Sequence, residues 1–358
     1  MDFRSYLKQF DYPLPENLIA QKPTLPRDKA KLLVYSLKTH QVGHDIFLNL
    51  DKYLPKNSVI IFNQTKVIPA RIYTKKSTGG KVEVFCLGIA DNQIKALISP
   101  GQKTNTKLYL TNKPQPTTDN KYFLVIKQKN KIFYLKPSFP INQLIKILNQ
   151  YGQTPIPPYI KHSPLSEKEL RKQYQTIFAK IPGSVAAPTA SMHFTNRLLR
   201  KLKNKGHQIG FINLNVNLGT FAPLEQKHLK SNKLYQEEFF IPKQTLELIK
   251  KAKKHSWPII ACGTTVVRTL ESSKILSAYL AGKTKSSKIK WETAGLFIRP
   301  GYKFKIINSL ITNFHLPQSS LLMLVSAFAG RKKILELYQL AIKNNYRFYS
   351  FGDGMLII

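Results

Sequence analysis

The chain has 358 residues, 42% of them apolar, and carries 56 Lys and Arg against 19 Asp and Glu, a formal charge of +37. That is ample apolar material for folded cores, and a field of that sign gathers polyanions through phosphate neutralisation and counterion release, so nucleic acid is the expected partner. The longest apolar run, LLMLVSAF at 321–328, falls short of the roughly 20 residues of a membrane span, and MDFRSYLKQFDY carries charge instead of a signal-peptide core; no membrane and a cytoplasmic location are expected.

Pro13, Pro15, Pro23 and Pro26 forbid a long helix near the start. Strands are predicted at KLLVYSL and SVIIFN. From Thr65 to Pro137 the pattern becomes six short β runs, VIPARIYT, KVEVFCLGI, IKALIS, TKLYL, YFLVIK and KIFYLK, separated by Gly, Asn and Pro, which suggests a small barrel or sandwich. Helical spacing returns at 142–150, with Gly152 as its stop. Beyond the polyproline-like PIPPYI, helices are predicted at Ser166 to Phe178, Thr195 to Asn204, Lys243 to His255, Val266 to Leu280, Ser320 to Phe328 and Arg331 to Lys343. They alternate with strands at HQIGFINLNV, WPIIACG, AGLFI and FKIINSLIT. The expected architecture is an α/β main domain, residues 1–64 and 138–358, interrupted by a β-barrel-like insertion, residues 65–137.

Several chemistries drop out. Cys86 and Cys262 stand far apart with no Cys or His cluster beside either, so neither a disulfide framework nor a metal site is suggested. No GxGxxG occurs, and AGKT at 281–284 lacks the upstream glycine of a P-loop and follows a helix. His40 and His44 have Gly43 between them and no helix pattern around them, against a metal pair.

Four segments remain. Residues 181–195, ending in GSVAAPTASMHFT, contain no Lys, Arg, Asp or Glu although basic residues crowd both sides. FNQTKVIPARIYTKKSTGGKVEV places Asn63, Thr65 and Arg71 before a Gly79-Gly80 turn and Glu83; a double glycine suits a hairpin. IIACGTTVVRTLES runs an apolar strand through Gly263 into Thr264 and Thr265, either able to cap a helix bearing Arg268 and Glu271. SLITNFHLPQSSLLMLVSAFAG sets His315 and Pro317 before Ser319 and Ser320 at a helix start, where free amides suit an anion.

With LPENLIAQKP, YGQTPIPPYI, YQTIFA, NLGTF and YRFYSFGDGML, these segments closely resemble the S-adenosylmethionine:tRNA ribosyltransferase-isomerase family of the queuosine pathway, nearly end to end. The resemblance implies an α/β main domain with an inserted β-barrel. It also implies an enzyme that moves the ribosyl part of S-adenosylmethionine onto the aminomethyl group of a 7-deazaguanine base at the tRNA wobble position. Rearrangement gives an epoxycyclopentanediol, and adenine and methionine leave. S-adenosylmethionine is then a substrate, no cofactor is called for, and a monomer is expected. The chain departs from the family pattern at several points: Ala190-Ser191-Met192 precede His193 where AGL is usual, Asn215 and Asn217 replace a histidine and a glycine, Tyr235 lies in LYQE where MHSE is usual, and Gln64 replaces an aspartate. A second reading is therefore a catalytically impaired, tRNA-binding descendant.

The sulfonium acidifies the C5′ hydrogens, so a base must remove one, and adenine departure calls for a proton donor. Candidate catalytic groups are His193, His315, Glu271 and Asp353. Candidate substrate-binding positions are Arg27, Asp28, Asn63, Arg71, Gly80, Glu83, Pro188, Thr189, Phe194, Thr195, Gly219, Thr220, Thr264, Thr265, Arg268, Asn313 and Ser319. Asp28 and Glu83 are also possible bases or sulfonium partners. Arg71 has two open readings, an anion clamp or a cross-hairpin pair with Glu83. The uncharged 181–195 stretch reads either as a water-poor pocket wall with His193 in it, or as a packed turn with a core histidine.

Overall fold

The computed structural model describes residues 2–111, 120–217, 224–284 and 290–358. Its largest element is a nine-stranded mixed sheet. In spatial order the strands are Glu292–Leu296, Lys233–Phe240, Gln208–Leu214, Val59–Asn63, Ile259–Cys262, Ser309–Asn313, Gly354–Ile357, Lys31–Tyr35 and Val42–Ile46. The four from Gln208–Leu214 to Ser309–Asn313 run parallel. Such strands are covered on both faces and read as continuous apolar runs. VIIFN, IIAC and SLITN are buried at every position.

Alternation along these strands divides the core. Val59, Ile61, Ile259, Ala261 and Leu310 face the helices Lys243–Lys254, Ser320–Ala329 and Arg331–Lys343, through Leu246, Met323 and Leu337 among others. Ile60, Phe62, Ile260, Cys262 and Ile311 face Phe47 and the Asn196–Asn204 helix, through Leu198 and Leu202. Thr195 caps that helix, accepting from Leu198 N–H.

A second, seven-stranded antiparallel sheet curls into a partial ring. Its order is Gly152–Gln153, Arg71–Lys75, Lys81–Ala90, Gln93–Ser99, Ile132–Pro137, Tyr122–Lys129 and Lys107–Tyr109, and Lys75 meets Tyr109 to bring the last strand back to the second. Ile72, Val84, Ala96, Phe123 and Leu135 fill the inside. The sheet draws in chain beyond residue 137: the Leu144–Tyr151 helix packs Ile147 and Leu148 into the same core, and Gly152 pairs with Ile72. A Cβ at Gly152 would lie 1.9 Å from the Pro69 carbonyl oxygen, so this close approach demands glycine. Thr65–Val67 and Ile181–Ser184 form a separate parallel pair.

Several boundaries differ from expectation. The run at 266–280 is two helices, Thr264–Ser272 and Lys274–Leu280, because Ser273 leaves helical geometry and its hydroxyl caps the second. The helix expected to reach Phe178 ends at Gln173, and FKIINSLIT contributes strand only from Ser309. VIPARIYT is split by Pro69 into strands of two different sheets. At the double glycine only Gly79 has the left-handed φ, +82°.

Candidate active site

The carboxyl ends of Ile259–Cys262 and Ser309–Asn313 open into a cavity of about 180 Å³. Ligands of open α/β sheets bind beyond strand ends in this position. One wall is Ala186, Ala187, Pro188, Thr189 and Ala190, from the uncharged stretch. A second is Gly263, Thr264, Thr265 and Arg268, where the chain turns at a φ of +95° and starts the Thr264–Ser272 helix. Thr312 to Leu316 form a third, and Pro158, Tyr159, Tyr174 and Tyr349 complete it.

His315 lines this space, and its loop is fixed through the backbone. Tyr12 Oη donates to its carbonyl, and its N–H donates to Tyr338 Oη at 3.0 Å. The ring is held separately, with Thr312 Oγ1 2.7 Å from Nε2, and Nδ1 makes no hydrogen bond among the described residues. Burial pushes the imidazole down to about 3, so it is neutral at physiological pH.

His193 is also buried and does not line the cavity. Its ring stacks on Phe47 at 4.1 Å, and Asn313 Nδ2 donates to its Nε2 at 3.2 Å. The same Asn313 amide accepts from Thr189 Oγ1 at 2.8 Å and donates to the Asp353 carbonyl. His193 therefore braces Asn313, which with Thr189 lines the cavity. Burial, then the positive charges of Arg347 and Arg27, hold its pKa down to about 3.

None of the four candidate carboxylates lines the cavity. Asp28 is fully buried and is held by Thr195 and by the largely exposed Arg197, whose Nε lies 2.5 Å away. Burial alone would raise its pKa; the hydrogen bonds from Arg197 and Thr195 outweigh that and lower it. Glu271 accepts from Tyr302 Oη and from the N–H groups of Lys305, Ile306 and Ile307. Asp353 accepts from the N–H groups of Lys31 at 3.0 Å and Arg347 at 2.8 Å, which ties strands together. Glu83 pairs with Arg71 across the hairpin, 3.5 Å apart, on a different cavity.

The remaining predicted positions divide in the same way. Pro188, Thr189, Thr264, Thr265, Arg268 and Asn313 converge on the cavity. Asn63 pins two strands through the N–H and carbonyl of Leu214, and Phe194 packs edge-on against Phe62. Arg27 donates to the carbonyls of Gln173 and Gln175. Ser319 caps the Ser320–Ala329 helix at the surface, and Gly80 closes the hairpin turn by accepting from Lys76 N–H. Gly219 and Thr220 lie outside the described residues.

The cavity also has members that sequence reasoning missed. Tyr159 donates to or accepts from Ser350 at 2.7 Å, and burial raises its pKa to about 12. Behind Arg268 lies Glu237, fully buried, its Oε2 2.5 Å from Nη2 and its Oε1 accepting from Asn217 N–H. Glu237 follows the LYQ of the departed motif, and that was its one visible signal. The departures themselves fall outside the cavity lining: Asn215 touches Thr65 and Asn213, and Tyr235 donates to Glu225.

A family model described as queuosine biosynthesis protein matches residues 7–357. The chain belongs to that family. Relatives from Carboxydothermus hydrogenoformans and Aquifex aeolicus, both named S-adenosylmethionine:tRNA ribosyltransferase-isomerase, are each 44% identical over 98% of this chain and 99% of their own length. A crystal structure of S-adenosylmethionine tRNA ribosyltransferase from Thermotoga maritima superposes with a TM-score of 0.52 at 30% identity, covering 98% of this chain and 100% of that one. The queuosine biosynthesis match spans every segment that walls the cavity.

His193 and His315, two of the four buried histidines among the described residues, make stability sensitive to acid. Each has a folded pKa of about 3 against an ordinary 6.5, so below pH 6.5 the unfolded chain takes up protons that the folded chain refuses. Their contribution is fully present above 6.5 and is lost as pH falls toward 3. Between pH 7 and pH 5 each should remove about 2 kcal/mol of stability. Urea unfolding at the two pH values measures their sum together with what His207 and His228 add, since burial lowers those pKa values too, and His193→Gln should remove about 2 kcal/mol of the dependence; an unchanged midpoint at pH 5 contradicts neutral burial.

Proposed function

We propose that this chain takes S-adenosylmethionine as a substrate and transfers its ribosyl part, with isomerisation, to the aminomethyl group of 7-aminomethyl-7-deazaguanine in tRNA. The product is epoxyqueuosine-tRNA, and adenine and methionine are released. The observation that carries the reading is the cavity at the strand ends, walled by the uncharged stretch and the Gly263 turn, in a chain that matches its relatives end to end. The net charge of +37 suits a tRNA partner.

The cavity chemistry fits a sulfonium ligand without a lining carboxylate. Tyr159, Tyr174, Phe314 and Tyr349 supply aromatic faces that attract a cation, most strongly where water is excluded. Among the described residues Arg268 is the one charged side chain in the lining, and Glu237 neutralises it from behind. A cationic substrate thus meets rings instead of a net positive wall.

His315 supports both proton steps in one order. A neutral imidazole cannot start as an acid, but it can take the acidified C5′ proton at Nδ1 and then hold it as imidazolium. Giving that proton to the departing adenine returns the ring to neutral. Small side chains at Ala186, Ala187 and Ala190 let backbone approach the ligand closely. No metal or bound cofactor enters this scheme.

The second reading, tRNA binding without turnover, is not favoured, because the departures at Asn215, Asn217 and Tyr235 do not line the cavity. Incubating the purified chain with S-adenosylmethionine and tRNA bearing the aminomethyl base tests both. Adenine release with the mass of the epoxide product is expected; tRNA binding with no adenine would overturn the proposal.

A further inference from the structure

A second cavity, of about 270 Å³, lies on the outer face of the curled sheet. Its floor is a cross-strand row in which Arg71 faces Phe85 and Phe85 faces Leu97, with Glu83 opposite Ser99 one row along. Side chains alternate along a strand, which sets this row out of phase with Ile72, Val84 and Ala96, and Phe85 is partly buried against the edge of that core. Pro155, Ile156 and Pro158 form the roof. Pro158 also lines the first cavity, so the two spaces share a wall.

The polar lining is an arginine and a carboxylate side by side, together with Ser99. Arg71 Nε lies 3.5 Å from Glu83 Oε1, and this shielded nitrogen makes no hydrogen bond among the described residues. The guanidinium sits 5.7 Å from the centre of the Phe85 ring. An apolar slot with an aromatic wall, proline opposite and a donor–acceptor pair at its edge is built for a planar heterocycle. The ring stacks, an N–H of its edge goes to the carboxylate, and a carbonyl or ring nitrogen accepts from arginine.

We infer that this cavity binds an unpaired nucleobase of the RNA substrate, the neighbour of the base that enters the first cavity. The inference rests on the tRNA reading above. A strand that delivers one base to the first cavity carries its neighbour to the other side of Pro158, and sequence-tolerant stacking there would fix the register of the loop. The insertion then has a use: it holds the RNA while the main sheet holds S-adenosylmethionine.

The test is steady-state kinetics of the full chain with the two substrates varied separately, on Arg71→Gln and Ile156→Glu, folding being checked by thermal melting. KM for tRNA should rise on the order of tenfold, the loss of one stacked base, with KM for S-adenosylmethionine unchanged. Unchanged tRNA KM in both folded variants overturns the inference, as does an equal rise in both KM values, which would place the nucleoside substrate here. Photocrosslinking with tRNA carrying 4-thiouridine at unpaired positions reads the site without turnover. Crosslinks are expected in peptides covering residues 81–90 or 155–158, and crosslinks confined elsewhere overturn it. Failure of the unaltered chain to release adenine would sink the function reading instead, while the crosslink still reports on base binding.

Discussion

Replacing His315 with Ala is expected to lower kcat by about 10²–10⁴-fold, the usual contribution of a positioned proton-transfer group, while the protein stays folded. The fold should survive because the two tyrosines that fix this loop, Tyr12 and Tyr338, bind the peptide of residue 315 and not its ring. What is lost locally is the Thr312 contact, which leaves a buried hydroxyl unpaired at a cost of roughly 1–3 kcal/mol. Binding of S-adenosylmethionine, followed by calorimetry, should change little, since the aromatic faces remain. His193→Ala provides the contrast: its ring lies behind Asn313, so its effect should be the smaller of the two and appear as a misplaced Asn313 and Thr189. Equal loss in both variants would contradict a proton-transfer role confined to His315. Full activity in His315→Ala would remove it altogether.

The difference between those histidines was not legible in the sequence. Both sit in motifs beside a phenylalanine or near a proline, and both read as possible acids. Their burial, which keeps them neutral, depends on chain far from either motif, as where Phe47 stacks on His193. What the sequence did carry was whatever one segment determines alone. VIIFN and WPIIACG announce buried parallel strands, Thr195 and Ser320 mark helix starts, and the alternating runs from Lys81 to Pro137 announce an antiparallel sheet. The uncharged stretch was legible too, because its charge gap needs no partner to be seen. Strands that take their identity from neighbours were missed. KLYQEEFF at 233–240 is too charged to read as a strand of the main sheet. Its Glu237 is tolerable there only because Arg268 arrives from a helix about thirty residues later. Carboxylates inside motifs looked like ligand partners, yet Asp28, Glu271 and Asp353 spend their oxygens on backbone N–H groups or on Arg197. A one-dimensional reading cannot separate a carboxylate that stabilises the fold from one that faces a substrate.

Glu237→Ala should cost about 3–5 kcal/mol, the usual penalty for leaving one member of a buried ion pair without its partner. Both side chains are almost wholly enclosed, 5% exposed for Arg268 and 0% for Glu237, so water cannot replace the lost carboxylate. Against a typical total stability of about 5–15 kcal/mol this is a large fraction, and urea unfolding should show it directly. Replacing both at once, Glu237→Gln with Arg268→Met, removes the uncompensated charge, so much of the stability should return. Activity separates the structural role from a functional one. If Arg268 only fills space beneath the cavity, the double variant regains turnover along with stability. If its guanidinium touches the substrate, as its place in the lining suggests, the double variant folds but stays slow, with KM for S-adenosylmethionine raised. A single Glu237→Ala variant as stable as the original chain would mean that the pair is hydrated, and the dry cavity on which the sulfonium chemistry depends would go with it.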